Sequence, residues 1–148
     1  MGEQNIKIRQ LFNAPVDTIF SLLTDHEAFG QVVNAKIKRV VDSQDENKNG
    51  LGSVRRINAF PAPAFEETVV TFEPNQLMEY VLSKGSPIKN HKGRMEFSDE
   101  QGKTRLNYTI DFEPKPPFLF FGSILKRAIE KPIRDGLKRL ADRYDIQK

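Results

Sequence analysis

The sequence predicts an α+β fold: a strongly curved antiparallel sheet of about seven strands wrapped around one long C-terminal helix, with two short helices after the first strand. Three observations predict it. Over residues 123–144, Leu125, Ile129, Ile133, Leu137, Leu140 and Tyr144 recur at spacings of four, four, four, three and four, which is one face of a helix. Most of the chain before that helix alternates apolar and polar residues, the period of half-buried strands. The separators between those strands are short turns, and short turns join antiparallel neighbours, since parallel ones need long crossovers. A lone amphipathic helix must bury its stripe, and the sheet is the only large partner available.

The elements run in order along the chain. Ile6, Ile8 and Phe12 alternate with Lys7 and Arg9 in a first strand with one buried face. Ala14-Pro15 ends it, and Pro15 is placed in the first turn of a helix, where a missing N–H costs nothing; Val16, Ile19, Phe20 and Leu23 continue at helical spacing. Thr24-Asp25-His26-Glu27 reads as a break and a fresh N-cap before a second short helix anchored by Phe29 and Val32-Val33. Ile37 and Val41 return the chain to strand, and residues 42–50 form a polar hairpin loop. Further strands are expected over residues 52–60, 65–72, 77–82, 91–97 and 105–112. Pro61-Ala62-Pro63, Glu73-Pro74-Asn75-Gln76, Lys84-Gly85-Ser86-Pro87 and residues 98–102 separate them. Glu113-Pro114-Lys115-Pro116-Pro117 is a semi-rigid connector, and Pro132 is expected to bend the long helix.

Composition bounds the function. The chain has 148 residues, 38% hydrophobic and 29% charged, with no cysteine and no tryptophan, and reads as one domain over residues 1–148. A chain of this size buries roughly two-thirds of its unfolded surface, enough for a core without disulfides or zinc. Thiol catalysis and iron–sulfur ligation are excluded. No basic leader or membrane-length apolar run is present, so a cytoplasmic location is expected. P-loop, GxGxxG, HExxH and GxSxG motifs are missing, and neither a metal nor a cofactor is expected. Residues 123–148 carry eight Lys or Arg against four Asp or Glu, more than the whole chain's net +3. Glu130 with Arg134, Asp135 with Arg139, and Lys138 with Asp142 stand at pairing distance on that helix, which reads as a solvated face. Nucleic-acid binding is not expected, because the aromatics alternate to the apolar side of the sheet and acids punctuate the basic helix.

The order of strand, two short helices, six strands and long helix resembles the helix-grip fold of the START/Bet v-like (SRPBCC) superfamily, especially its polyketide cyclase/dehydrase-type and lipid-transport-like proteins. Residues that carry the resemblance are 14–25 at the first helix, Gly52-Ser53-Val54-Arg55, Glu67-Thr68-Val69 followed by Glu73-Pro74, Tyr80, Gly93, and Gly102-Lys103-Thr104-Arg105-Leu106. The resemblance implies a cavity between sheet and long helix that takes an apolar or amphipathic ligand. Its members range from carriers to cyclases.

Candidate site residues are few. His91 shares strand parity with Gly93, Met95 and Phe97, which points it inward beside a position that leaves space; His26 reads as a helix-terminus residue. Arg55 and Glu67 could face each other across adjacent strands, but Arg56 and Glu66 are their neighbours, and either pair could be the inner one. Tyr80 and Tyr108 lie on apolar faces and supply polar handles for a ligand or for the core's edge. Ile129 and Ile133 would form the helix wall of the cavity. Phe118-Leu119-Phe120-Phe121 has three readings: a plug for the cavity, a mobile gate, or a docking patch for a membrane surface, in weak contact, or for a protein. The expected partner is a hydrophobic small molecule bound by a monomer or homodimer. The competing expectation is a cofactor-independent cyclase or dehydratase acting through His91, Arg55, Glu67 and the tyrosines.

Overall fold

In the computed structural model, which describes residues 3–58, 63–85, 88–116 and 118–146, the seven strands form one antiparallel sheet ordered β1-β7-β6-β5-β4-β3-β2. β1 (Gln4–Phe12) and β2 (Lys36–Val41) are its two edges, and α1 (Val16–Thr24) and α2 (His26–Val33) carry the chain between them. β3 (Val54–Asn58), β4 (Phe65–Glu73), β5 (Leu77–Lys84), β6 (Ile88–Glu100) and β7 (Lys103–Pro114) continue as a meander, followed by a 3-10 turn at Phe118–Phe121 and α3 (Gly122–Ile146). The expected architecture is therefore present. Phe60, Pro61, Ala62, Ser86, Pro87, Pro117 and the side chain of Phe118 lie outside the described residues.

Local chemistry sets the corners. Pro15 has φ −63° and ψ 152°, so it flanks α1 rather than occupying its first helical position, and its carbonyl accepts from Ile19 N–H at 3.2 Å. Asp25 caps α2 by accepting from Ala28 N–H at 3.1 Å. Asn34 closes the same helix in the left-handed region, φ 57°, where a short amide side chain is tolerated.

Strand irregularities decide which side chains face inward. The β4–β5 register shifts between Val69 and Thr71, so Val70 is extra; Val69 is buried, Val70 exposed, and Phe72 turns back to meet Phe20 with ring centroids 5.3 Å apart. β6 shifts against β7 between Lys89 and Lys92 around Asn90, φ 51°, which lets both Ile88 and His91 face inward although they stand at opposite parity. A further shift between Arg39 and Val41 leaves Val41 half exposed at the β2 edge.

The stripe of α3 is buried unequally. Leu137 and Leu140 are fully packed, whereas Leu125 and Ile129 are only partly covered. The helix runs unbroken through Pro132, and Gly136 seats its C-terminal half on α2: a Cβ there would lie 2.1 Å from the Val32 carbonyl oxygen. On its outer face Lys131–Asp135 at 2.8 Å, Arg134–Glu130, and Lys138–Asp142 at 3.6 Å are paired. Asp135 thus takes Lys131 instead of the expected Arg139, whose guanidinium donates to the Val32 carbonyl at 3.2 Å.

Candidate functional site

The partly covered half of α3 overhangs a cavity of about 940 Å³ whose floor is the inner face of the sheet. Its volume lies near the top of the range for small-molecule sites, roughly 300–1,000 Å³. Isoleucines 57, 88, 110, 129 and 133 with Phe29, Phe65 and Leu125 make most of the wall. One polar cluster interrupts it.

That cluster begins at the β3–β4 pair. Arg55 stands opposite Glu67 and Arg56 opposite Glu66 in the same register, so the two ion pairs sit on opposite faces of the sheet. Arg56 and Glu66 meet in the open at 2.7 Å, while Arg55 is 2% exposed and donates from Nε to Glu67 Oε1 at 2.9 Å. The Arg55 guanidinium carbon also lies 4.4 Å from the Tyr80 ring centroid and 5.1 Å from that of Phe29. Burial opposes its charge, but Glu67 and the two phenols outweigh burial and hold Arg55 protonated. Among the described residues its Nη1 has no hydrogen-bond partner.

His91 extends the cluster on the other side of Glu67, with Nε2 3.5 Å from Oε2. Burial, helped by Arg55 and opposed by Glu67, pushes the imidazole below its ordinary value of 6.5, so it is neutral near pH 7. An Nε2–H facing the carboxylate leaves Nδ1 as an acceptor, and Nδ1 is unpartnered among the described residues. The Tyr80 and Tyr108 hydroxyls share a hydrogen bond. Burial lifts Tyr108 to about 12 and Tyr80 well above its usual value, so both phenols stay neutral and able to donate. A fixed cation, its counter-anion, a neutral imidazole and two phenols therefore meet at one wall of an apolar chamber. Such a set can orient a polar group of a ligand or move a proton at it.

Seven of the eight sequence candidates line this cavity: Arg55, Glu67, Tyr80, His91, Tyr108, Ile129 and Ile133. Phe120 does not. It is 89% exposed and, with Leu119, Phe121 and the 63%-exposed Ile124, forms an apolar tip at the start of α3. That exposure does not fit the plug reading for Phe120. His26 is the first residue of α2, as a helix-terminus histidine should be, but it is also fully buried, with Nε2 2.9 Å from Ser53 Oγ. Sequence reasoning missed Phe29, Ile57, Ile88 and Ile110 as cavity residues. Strand parity could have found Ile57 and Ile110; the β6 irregularity hid Ile88. Among the described residues no group of His, Asp and Glu could hold a metal ion, and no helix is long and apolar enough to cross a membrane.

Residues 4–145 match the sequence profile of the family described as polyketide cyclase / dehydrase and lipid transport. The chain belongs to that family. Among solved structures, a START superfamily protein from Mycobacterium smegmatis is similar at a TM-score of 0.76 and 19% identity, covering 97% of this chain and 99% of that one. Truncated norcoclaurine synthase from Thalictrum flavum is similar at 0.69 and 11% identity, covering 93% and 92%. These likenesses show the helix-grip fold, and the profile match places the chain in the SRPBCC superfamily. No curated protein matches the chain by sequence. Family members of this type generally bind hydrophobic ligands.

Proposed function

We propose that this protein binds a hydrophobic or amphipathic small molecule, lipid-like, polyketide-like or aromatic, in the cavity between sheet and α3. The observation that carries this reading is the chamber itself: about 940 Å³, mostly apolar, and bounded by the half of α3 whose stripe is only partly covered. Arg55, Glu67, His91, Tyr80 and Tyr108 then serve as the few fixed polar groups that orient the ligand. Native mass spectrometry with solvent extraction of the purified protein tests it. A co-purifying apolar molecule, or saturable uptake of a neutral apolar dye that Ile129→Trp abolishes, is expected; no uptake of any apolar probe rejects the reading.

A second reading is a cofactor-independent cyclase or dehydratase. It is favoured by the contiguity of Arg55, Glu67 and a neutral His91, a base poised beside a carboxylate with a cation able to polarise a carbonyl. Turnover of a polyketide-like or aromatic substrate should then collapse in His91→Gln and Glu67→Gln. Intact turnover in both removes this reading and leaves the binder.

The apolar tip supports one addition to the binder: weak contact with a membrane surface through Phe120 and Ile124. Co-sedimentation with anionic vesicles, reduced by salt and by Phe120→Ser, is expected; salt-independent lack of binding rejects it.

A further inference from the structure

The mouth of the cavity carries a chemical signature that its interior lacks. A second depression, about 410 Å³, lies on the surface between α3 and the end of α2, and Val33, Asn34, Ala128 and Pro132 border both it and the cavity. The two spaces therefore adjoin at the corner where α2 gives way to β2. Lys36 lines the cavity side of this junction and Arg127 the outer side. Both are exposed, and neither makes an ion pair or a side-chain hydrogen bond among the described residues. Every other cation of the groove is committed: Lys131 to Asp135, and Arg139 to the Val32 carbonyl. Among the described residues Asp135 is the one acid of the groove, and Lys131 already neutralises it.

Inside, the balance is different. The charge of Arg55 is matched by Glu67, and His91 is neutral, so the buried cluster offers dipoles and hydrogen bonds rather than surplus positive charge. A full anion placed there would face Glu67 as closely as Arg55. At the mouth it would meet two uncommitted cations, one of them a guanidinium whose fork matches carboxylate, sulfate and phosphate oxygens.

We propose that the groove between Lys36 and Arg127 is a head-group subsite, and that the ligand is an anionic amphiphile whose apolar part occupies the cavity. This inference rests on the cavity-binding reading. It assigns polarity along the ligand: apolar body beneath Ile129 and Ile133, anionic head at the α2–β2 corner.

The test compares decanol with decyl phosphate, both below micelle-forming concentration, as displacers of a neutral naphthylamine dye from the full chain. At low salt decyl phosphate should bind about tenfold more tightly, the size expected of two exposed cations, and the advantage should shrink as ionic strength rises. In Lys36→Glu/Arg127→Glu the decyl phosphate affinity should fall about tenfold and decanol affinity change far less; thermal melting checks that the variant is folded. Inorganic phosphate should displace no dye at millimolar concentration, and displacement by it would mark a free-anion site and overturn the amphiphile assignment. Equal affinity of the two displacers, or a preference that survives the double substitution, overturns the subsite while leaving the cavity reading intact. If neither displacer nor dye binds, the cavity reading fails and the subsite falls with it.

Discussion

Tyr80 lies over Gly93, its partner across the β5–β6 ladder, so closely that a Cβ at position 93 would stand 2.1 Å from Tyr80 Cζ. The missing side chain is the feature that lets the phenol reach Tyr108 and lets the Arg55 guanidinium stack on its face. Gly93→Ala is therefore expected to destabilise the protein by about 1–3 kcal/mol through overpacking. Denaturant unfolding should also show that Gly93→Ala costs less in a Tyr80→Ala background, because the clashing ring is gone. Equal cost in both backgrounds would contradict the contact.

Arg55 and Glu67 form a buried pair, and removing one partner strands the other. Arg55→Met should cost about 3–5 kcal/mol, whereas Arg55→Met/Glu67→Leu should cost clearly less than the sum of the singles. Arg56→Met, on the solvent face of the same register, should change stability by less than about 1 kcal/mol. Unfolding midpoints of these variants and of Glu67→Leu distinguish the faces.

Stability should fall on mild acidification. Burial, with Arg55 and Arg39 nearby, lowers His26 from 6.5 to about 3, so the unfolded chain takes up its proton before the folded chain does. The stabilisation is full above pH 6.5 and is lost as pH falls from there toward 3. Between pH 7 and pH 5 this histidine should contribute a loss of about 2 kcal/mol, and His91, shifted in the same direction, should add to it. His26→Gln should flatten the pH profile of chemical unfolding; an unchanged slope would count against the assignment.

The two halves of α3 should respond differently to truncation. Leu137 is fully buried, and Leu137→Ala should cost about 2–5 kcal/mol. Ile129 faces open space in the cavity, so Ile129→Ala should cost markedly less while altering dye uptake. Phe120→Ser, at an 89%-exposed position, should leave stability within about 0.5 kcal/mol of the parent.

Much of this was legible before the fold was known. Strand alternation from Leu106 to Phe112, the helical stripe from Leu125 to Tyr144, and the Asp25 cap are local signals, and each element appeared where its residues placed it. His91 was oriented correctly by parity with Gly93. The choice between Arg55–Glu67 and Arg56–Glu66 was not legible, because two arginines facing two glutamates satisfy the ladder in either orientation. Strand irregularities at Val70 and Asn90 were equally hidden: no single residue announces them, yet each reverses the facing of the strand residues beyond it. The pairing of Asp135 with Lys131 was missed because two basic residues stood at helical spacing from the same acid.

By itself, then, the sequence determined the order and type of the elements, the antiparallel connection and the family, because these arise from periodicity and turn chemistry over a few residues. Only the tertiary structure decided that the first half of α3 overhangs space while the second half is sealed, that Arg55 is the buried arginine, and that Phe120 points to solvent. Those outcomes depend on how much volume distant segments leave between them and on where the ladder slips by one residue, and neither quantity is written in any local stretch of chain.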